Sequence, residues 1–238
     1  MSVPENARDT TSPRSRRPPT LSEAALRALR EDLIRGRYRP GDRNRVDHVA
    51  AELGISALPV REALRVLLAE GRLEYEAHRG YRVSDLTADD VKDIYLMCRL
   101  LEAEALRDGV PALDDEGIER MERALRVLEA PAENTSLWEM VSIHQEFHFV
   151  PVEYAGRPRI EAELRRLWDH TDHYRPLYLF SGQEVVDQMN RDHRALLAAC
   201  AAHDADQAIT LLNEHREHAL SQLFSQPSTP NDKEEHSR

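Results

Sequence analysis

The chain has 238 residues, 41% of them hydrophobic, and a formal net charge of −11. This length and apolar content suit one large domain or two ordinary ones, and the acidic balance argues against a surface built throughout for polyanions. There is no run of about 18 uncharged apolar residues to span a membrane, no apolar core behind Met1-Ser2-Val3-Pro4-Glu5 to make a signal peptide, and only two cysteines, Cys98 and Cys200, too few for a disulfide framework or a thiolate zinc site. The expectation is a cytoplasmic protein without a membrane partner.

The charge is unevenly spread. Residues 1–85 hold 16 Arg and 13 acids, net +3, whereas residues 86–238 hold 16 basic residues and 30 acids, net −14. Two parts with different electrostatic tasks are implied.

In chain order, residues 1–19 are rich in Ser, Thr, Pro and Arg without hydrophobic periodicity and read as a disordered arm, with Arg14, Arg16 and Arg17 as a basic cluster. Residues 21–35 carry Leu26, Leu29 and Leu33 on one helical face. Residues 46–53 do so with Val46, Val49, Ala50 and Leu53, and residues 57–70 with Val60, Leu64, Leu67 and Leu68. Two segments look extended: Arg37-Tyr38-Arg39 before the Pro40-Gly41 turn, and the alternating pair Leu73–Glu76 and Tyr81–Val83 around a glycine-containing turn. Helix, helix, helix, hairpin is the order of a winged helix-turn-helix, placed at 20–85.

From Thr87 the pattern is purely helical. Thr87-Ala88-Asp89-Asp90 reads as a capping-box start, and helices are expected at about 87–108, 115–129, 135–152, 157–179, 183–202 and 205–223. The breaks are Gly109-Val110-Pro111, Ala130-Pro131, Gly156-Arg157-Pro158, Ser181-Gly182 and His203-Asp204, with Pro176 kinking or ending the fourth helix. The fold class is therefore mainly α: an N-terminal winged helix-turn-helix followed at 86–224 by an antiparallel all-helical bundle, with a disordered tail at 225–238.

Gly54 at a sharp turn and Ser56 as N-cap of the next helix are what a helix-turn-helix needs. Arg61 and Arg65, four apart, lie off the apolar stripe of that helix, where guanidinium groups reach phosphates or the O6/N7 edge of guanine. Arg43 and Arg45 precede the helix pair and suit backbone anchoring. His78-Arg79-Gly80 would form the wing tip. As a set these residues point to DNA.

The runs Tyr38–Arg43, Ala50–Ser56, Pro59–Leu64 with Glu70-Gly71, and Arg79–Val83 fall in order at spacings that resemble the GntR superfamily of transcription regulators, across residues 21–85. The resemblance implies Ser56 and Arg61 as recognition-helix contacts and His78 to Gly80 as wing contacts. It departs at Ala57-Leu58, where many relatives carry a polar pair. Less hydrogen-bond readout follows, and Leu58 is a candidate to touch a thymine methyl.

Nine of the eleven histidines lie after residue 140. On helical faces, His144 and His148 share a side with Leu137, Met140, Val141 and Phe147. His193 falls with Val185, Met189, Leu196, Leu197 and Cys200, and His215 with Ala208, Leu212 and Ala219. Four histidines thus sit on stripes facing the bundle interior, and the i, i+4 pair can reach one ion. A metal site of His144, His148, His193 and His215 is expected, with His218 as a possible substitute. Each alone reads as a hydrogen-bonded core histidine. His170, His173, His203 and His236 lack such a stripe and are read as surface residues.

Residues 87–223 resemble the FCD effector domain of FadR-type GntR regulators, through Tyr95–Glu102 with Arg99, Phe147-His148, Ala155–Pro158, Asp192-His193-Arg194 and Asn213-Glu214-His215. Metal-binding members place an Asp four residues before the first of these histidines; here His144 stands there. Four neutral nitrogen ligands would favour Zn²⁺ or Ni²⁺ over oxygen-loving ions and strengthen the pull on an anion. Arg99 resembles a family arginine that faces the cavity and could clamp an effector carboxylate; its alternative is a surface pair with Glu102.

The resulting expectation is a ligand-responsive repressor with no catalytic residues. It would bind pseudo-palindromic operator DNA as a homodimer and respond to a small carboxylate effector. Two alternatives stay open: a metal-dependent hydrolase fused to a DNA-binding domain, and a regulator whose helical part only dimerises.

Overall fold

A computed structural model describes residues 18–171 and 182–225. The arginines of the N-terminal arm, the Pro176 kink, His173, His236 and the tail beyond 225 lie outside the described residues. So does the stretch after 171 that the fourth bundle helix was expected to include.

The first helix, α1 (Leu21–Ile34), opens with a capping box in which Thr20 and Glu23 satisfy each other's backbone N–H. Helix α2 (Val46–Leu53) ends at Gly54, whose φ of 66° is the left-handed conformation that turns the chain toward α3 (Ala57–Ala69). Ser56 occupies the N-cap position of α3 with extended backbone, but its hydroxyl makes no capping hydrogen bond. The hairpin strands β2 (Leu73–Glu76) and β3 (Gly80–Val83) pair antiparallel with Tyr75 opposite Tyr81, and β1 (Arg43–Asn44) adds to the other edge of β3, giving the order β1-β3-β2.

The expected strand at Arg37–Arg39 is not formed. The Tyr38 hydroxyl donates to Glu52 on α2 at 2.8 Å, and the Arg39 N–H donates to the Asp42 carboxylate at 2.8 Å. Both hold the segment back against α2 and its own turn. Hydrogen bonding to β3 begins at Gly41, whose N–H donates to the Val83 carbonyl. Leu29 and Leu33 of α1, Val49 of α2, Val60, Leu64 and Leu67 of α3, and Val83 of β3 close one core.

A second core belongs to α4 (Ala88–Ala112), α5 (Asp115–Glu129), α6 (Leu137–Tyr154), α7 (Pro158–Thr171), α8 (Gln183–Ala201) and α9 (Ala205–Ser225). Capping boxes at Thr87/Asp90 and Ser136/Glu139 start α4 and α6. From Phe147 to Val152, α6 is buried on every side, which makes it the central helix. No helix among the described residues is long and apolar enough to cross a membrane.

The break expected at Gly109-Val110-Pro111 does not occur; α4 runs through it to Ala112. Pro111 sits in the last turn, where its missing N–H removes a single hydrogen bond. Gly109 has a tertiary role: a Cβ there would lie 1.8 Å from the Pro151 carbonyl oxygen, so α4 and α6 touch backbone to backbone.

The two cores meet at a polar junction. Arg72, with 1% of its side chain exposed, donates to Asp169 of α7 at 3.1 Å and to Glu70 at 3.0 Å. Arg30 of α1 pairs with Glu70 and stacks 4.7 Å from the centre of the Trp138 ring, while the Trp138 backbone N–H donates to Glu31 at 3.0 Å. His170 is not the surface residue expected: it is half-buried beneath Gly71, where a Cβ would lie 2.0 Å from Nε2.

Candidate functional site

On the N-terminal part, burial of Val60, Leu64 and Leu67 turns the opposite face of α3 outward, and Arg61 and Arg65 stand exposed on it. They flank a groove of about 540 Å³ whose far wall is formed by Tyr75, Gly80 and Tyr81 of the hairpin. Arg43 and Arg45 are exposed at the same end, on β1 and at the N-cap of α2. Among the described residues none of these four arginines enters an ion pair. Four exposed guanidiniums without ion-pair partners, two of them lining the groove, favour a polyanion. His78, at φ 65°, and Arg79, 3.5 Å from Glu76, shape the exposed wing tip. Leu58 is 67% exposed at the start of α3, an apolar side chain presented to whatever the helix meets.

Within the bundle, α6, α8 and α9 bring the four inward histidines together, and each offers a ligand atom within 4.8 Å of the others. His148 Nε2 lies 3.3 Å from His144 Nε2 and 3.1 Å from His193 Nε2. Nitrogens bound tetrahedrally to zinc at 2.0–2.1 Å stand about 3.3 Å apart, so these two edges already have the spacing the ion needs. Burial, aided by His215, holds His193 well below its ordinary pKa and keeps it in the neutral form that ligates. Cys200 on the same helix is not in the converging set, and burial pushes its thiol up to about 12. The donor set is therefore all nitrogen.

His144, His148 and His193 are buried, while His215 reaches a cavity of about 340 Å³ lined also by Gln188, Asp192, His218 and Gln222. Asp192 receives three hydrogen bonds there: from His215 Nδ1 at 3.3 Å, His218 Nδ1 at 2.9 Å and the Gln188 amide at 2.7 Å. Burial alone would raise its carboxyl, but these bonds outweigh it and hold the group well below the usual carboxylate range. Behind the histidines stands Trp168 of α7, its ring centre 5.2 Å from that of His148 and its Nε1 donating to Glu102 at 2.8 Å.

The sequence from 21 to 83 matches the description "Bacterial regulatory proteins, gntR family", and 93–218 matches "FCD domain". The chain belongs to the GntR family. It is similar to the HTH-type transcriptional repressor GlaR of Escherichia coli (28% identity, covering 79% of this chain and 89% of the relative), and to a probable D-xylose utilization operon transcriptional repressor of Paenarthrobacter nicotinovorans (28%, covering 87% and 90%). Its fold is that of E. coli McbR/YncC, with a TM-score of 0.71 at 22% identity over 87% of this chain and 98% of that one. This GntR protein is thus a DNA-binding transcriptional regulator with an FCD domain.

Two readings of α4 in the regulator need correction. Arg99 stands exposed and does not line the cavity. It lies one position, about 100° of helix, beyond the buried stripe of Ile94, Tyr95, Cys98 and Glu102. Nor is Glu102 its surface partner, because Glu102 is buried and accepts from Arg216 of α9 and from Trp168. Among the described residues the buried arginine of this FCD domain is Arg216, with its guanidinium 5.7 Å from the Trp168 ring centre. Sequence reasoning missed Arg216, Glu102 and Trp168, which meet from three different helices. It also assigned no role to Asp192, whose place beside His193 was the available signal.

Proposed function

We propose that this regulator is a homodimeric repressor acting in the cytoplasm, with a DNA-binding domain at 20–85 and a metal-dependent sensor domain at 86–224. The DNA-binding set is Arg43, Arg45, Ser56, Arg61, Arg65, His78, Arg79 and Gly80, of which Arg61, Arg65 and Gly80 line the groove beside α3. The sensor holds a divalent transition metal, zinc or nickel, on His144, His148, His193 and His215. One observation carries the metal reading: four imidazoles from three helices converge within 4.8 Å. Such an ion supplies positive charge in a largely buried place, and a small carboxylate entering beside His215 is the effector class it favours. The side chains of Gln188, which donates to Asp192, and of Gln222 form part of the cavity wall.

A sensor is preferred to a hydrolase because Asp192, the carboxylate that contacts His215 in a cavity also lined by Glu184, is occupied by three donors and is not free to act as a base. Dimerisation is supported by Leu96, Met97 and Leu100, exposed together on α4 of the bundle, and by the short half-site that one recognition helix can read. The deciding experiment is metal analysis of the purified full chain, with mass spectrometry of any copurified small molecule. About one zinc or nickel per chain, lost in His148→Ala and His193→Ala, is expected. Wild-type protein free of metal after growth and refolding with both ions would end the metal reading.

A further inference from the structure

We propose that Asp192 is the positioning residue of the four-histidine site: its carboxylate fixes the ring of His215 and supplies the negative charge that the neutral ligand set lacks. The inference rests on the metal reading above and names how this chain completes that site.

An imidazole has two nitrogens on opposite edges of its ring, and a partner at one decides what the other can do. His215 Nδ1 faces Asp192 Oδ2 at 3.3 Å, and a carboxylate oxygen accepts, so the proton belongs on Nδ1. That leaves the Nε2 lone pair free to ligate. His144, His148 and His193 already converge through their own Nε2 atoms, and the His215 ring centre lies 4.8 Å from that of His193 and 5.2 Å from that of His148. His215 is also the ligand most in need of restraint. It is less buried than the other three, stands at the mouth of the cavity and is carried by a separate helix from any of them. Asp192 precedes His193 on α8, so one turn of that helix carries both a ligand and the group that orients another.

Charge points the same way. Four neutral imidazoles leave a divalent cation uncompensated in a mostly buried site, and Asp192 is the carboxylate that touches a ligand ring there. Carboxylates hydrogen-bonded to ligating histidines raise ligand basicity and fix the tautomer. His218 shares Oδ2 at 2.9 Å, but its side chain is 53% exposed and it is not in the converging set. His218 therefore competes for the carboxylate and is not a fifth ligand.

The test uses the full chain and Co²⁺, whose visible absorption reports ligand geometry, with affinity measured against a chromophoric chelator. Wild type is expected to bind one Co²⁺ and His148→Ala to lose it. Asp192→Asn should bind about 10- to 100-fold more weakly with shifted visible bands, Asp192→Glu should recover part of both, and His218→Ala should bind at least as tightly as wild type. If Asp192→Asn misfolds, Asp192→Ala takes its place, with the same weaker binding and shifted bands expected, and wild-type affinity and spectrum in it overturn the proposal. Wild-type affinity and spectrum in a folded Asp192→Asn also overturn it, and so does a loss in His218→Ala equal to that in Asp192→Asn. Failure of wild type to bind Co²⁺, or retention by His148→Ala, would instead sink the metal site itself.

Discussion

Arg72, at the foot of the wing, and Asp169, next to the tryptophan that backs the histidine site, are joined across 97 residues of sequence by a 3.1 Å hydrogen bond. Helix α7 thus presents Trp168 to the site and Asp169 to the DNA-binding part. Asp169→Asn keeps the shape of the side chain but removes the charge facing a buried guanidinium. We expect it to weaken the junction by about 1–3 kcal/mol while leaving metal affinity unchanged. Amide exchange in peptides covering 70–76 and 137–142 should rise in the variant. Equal protection in both proteins would show that Glu70 and Trp138 hold Arg72 without Asp169.

The same junction should loosen in mild acid. Burial first, then Arg166 on its own helix and Arg72 opposite, lower the pKa of His170, against a raising effect from Glu163. A histidine whose docked pKa lies below its free value of about 6.5 binds protons more readily when undocked. Docking is therefore strongest above that value and weakens as pH falls below it, toward the docked pKa. Exchange of the 70–76 peptide measured between pH 7.5 and 5.5 should show this loss, and His170→Gln should flatten it. A wild-type profile with no more pH dependence than the variant would rule out His170 as the titrating group.

Gly109→Ala tests the contact between α4 and α6. The new Cβ would fall on the Pro151 backbone oxygen, which cannot swing aside as a side-chain end can. Overpacking of this kind costs about 3 kcal/mol, or roughly 6–12 °C in Tm for a chain of this size. A thermal melt within 2 °C of wild type would mean that the helices separate at little cost.

Arg61 and Arg65 should behave differently on DNA although both flank one groove. Arg61 lies in the first turns of α3, where base edges come within reach, so Arg61→Ala should cost about 1–3 kcal/mol and relax preference at one operator position. Arg65→Ala should weaken all duplexes alike and lower the slope of log affinity against log salt by about 1. Operators selected from random duplexes, titrated at several salt concentrations, separate the two cases. Uniform loss in both variants would assign both arginines to phosphates.

Leu100→Asp places a charge in the exposed α4 patch beside Leu96 and Met97. Sedimentation equilibrium should show dimer for wild type and monomer for the variant, and an unchanged dimer would move the interface elsewhere.

The elements carrying periodic apolar stripes were legible, because burial of one face is written directly into spacing. His144, His148, His193 and His215 were found that way. What failed was tertiary. Gly109 followed by Pro111 reads locally as a helix stop, yet the glycine is there to admit the backbone of α6. His170 lies off any stripe of the bundle because what buries it is Gly71 of the other part. Arg99 and Glu102 looked like an exposed i, i+3 pair until α9 supplied Arg216, a partner 114 residues distant. The histidine set could be listed from the sequence, but the carboxylate that orients His215 required α8 and α9 to be laid side by side.

Trp138 and Trp168 are the chain's two tryptophans. One lies beneath the Arg30 guanidinium at the junction, and the other stands against the imidazoles of the sensor. The junction and the histidine site therefore carry one tryptophan each. In Trp138→Phe the tryptophan emission comes from Trp168 alone, where a paramagnetic ion such as Ni²⁺, if held by the histidines, would quench it at contact range. In Trp168→Phe it comes from the junction alone, where changes in guanidinium stacking alter it. Two optical channels, recorded without any label, can thus time the arrival of a ligand and the answer of the DNA-binding part as separate events.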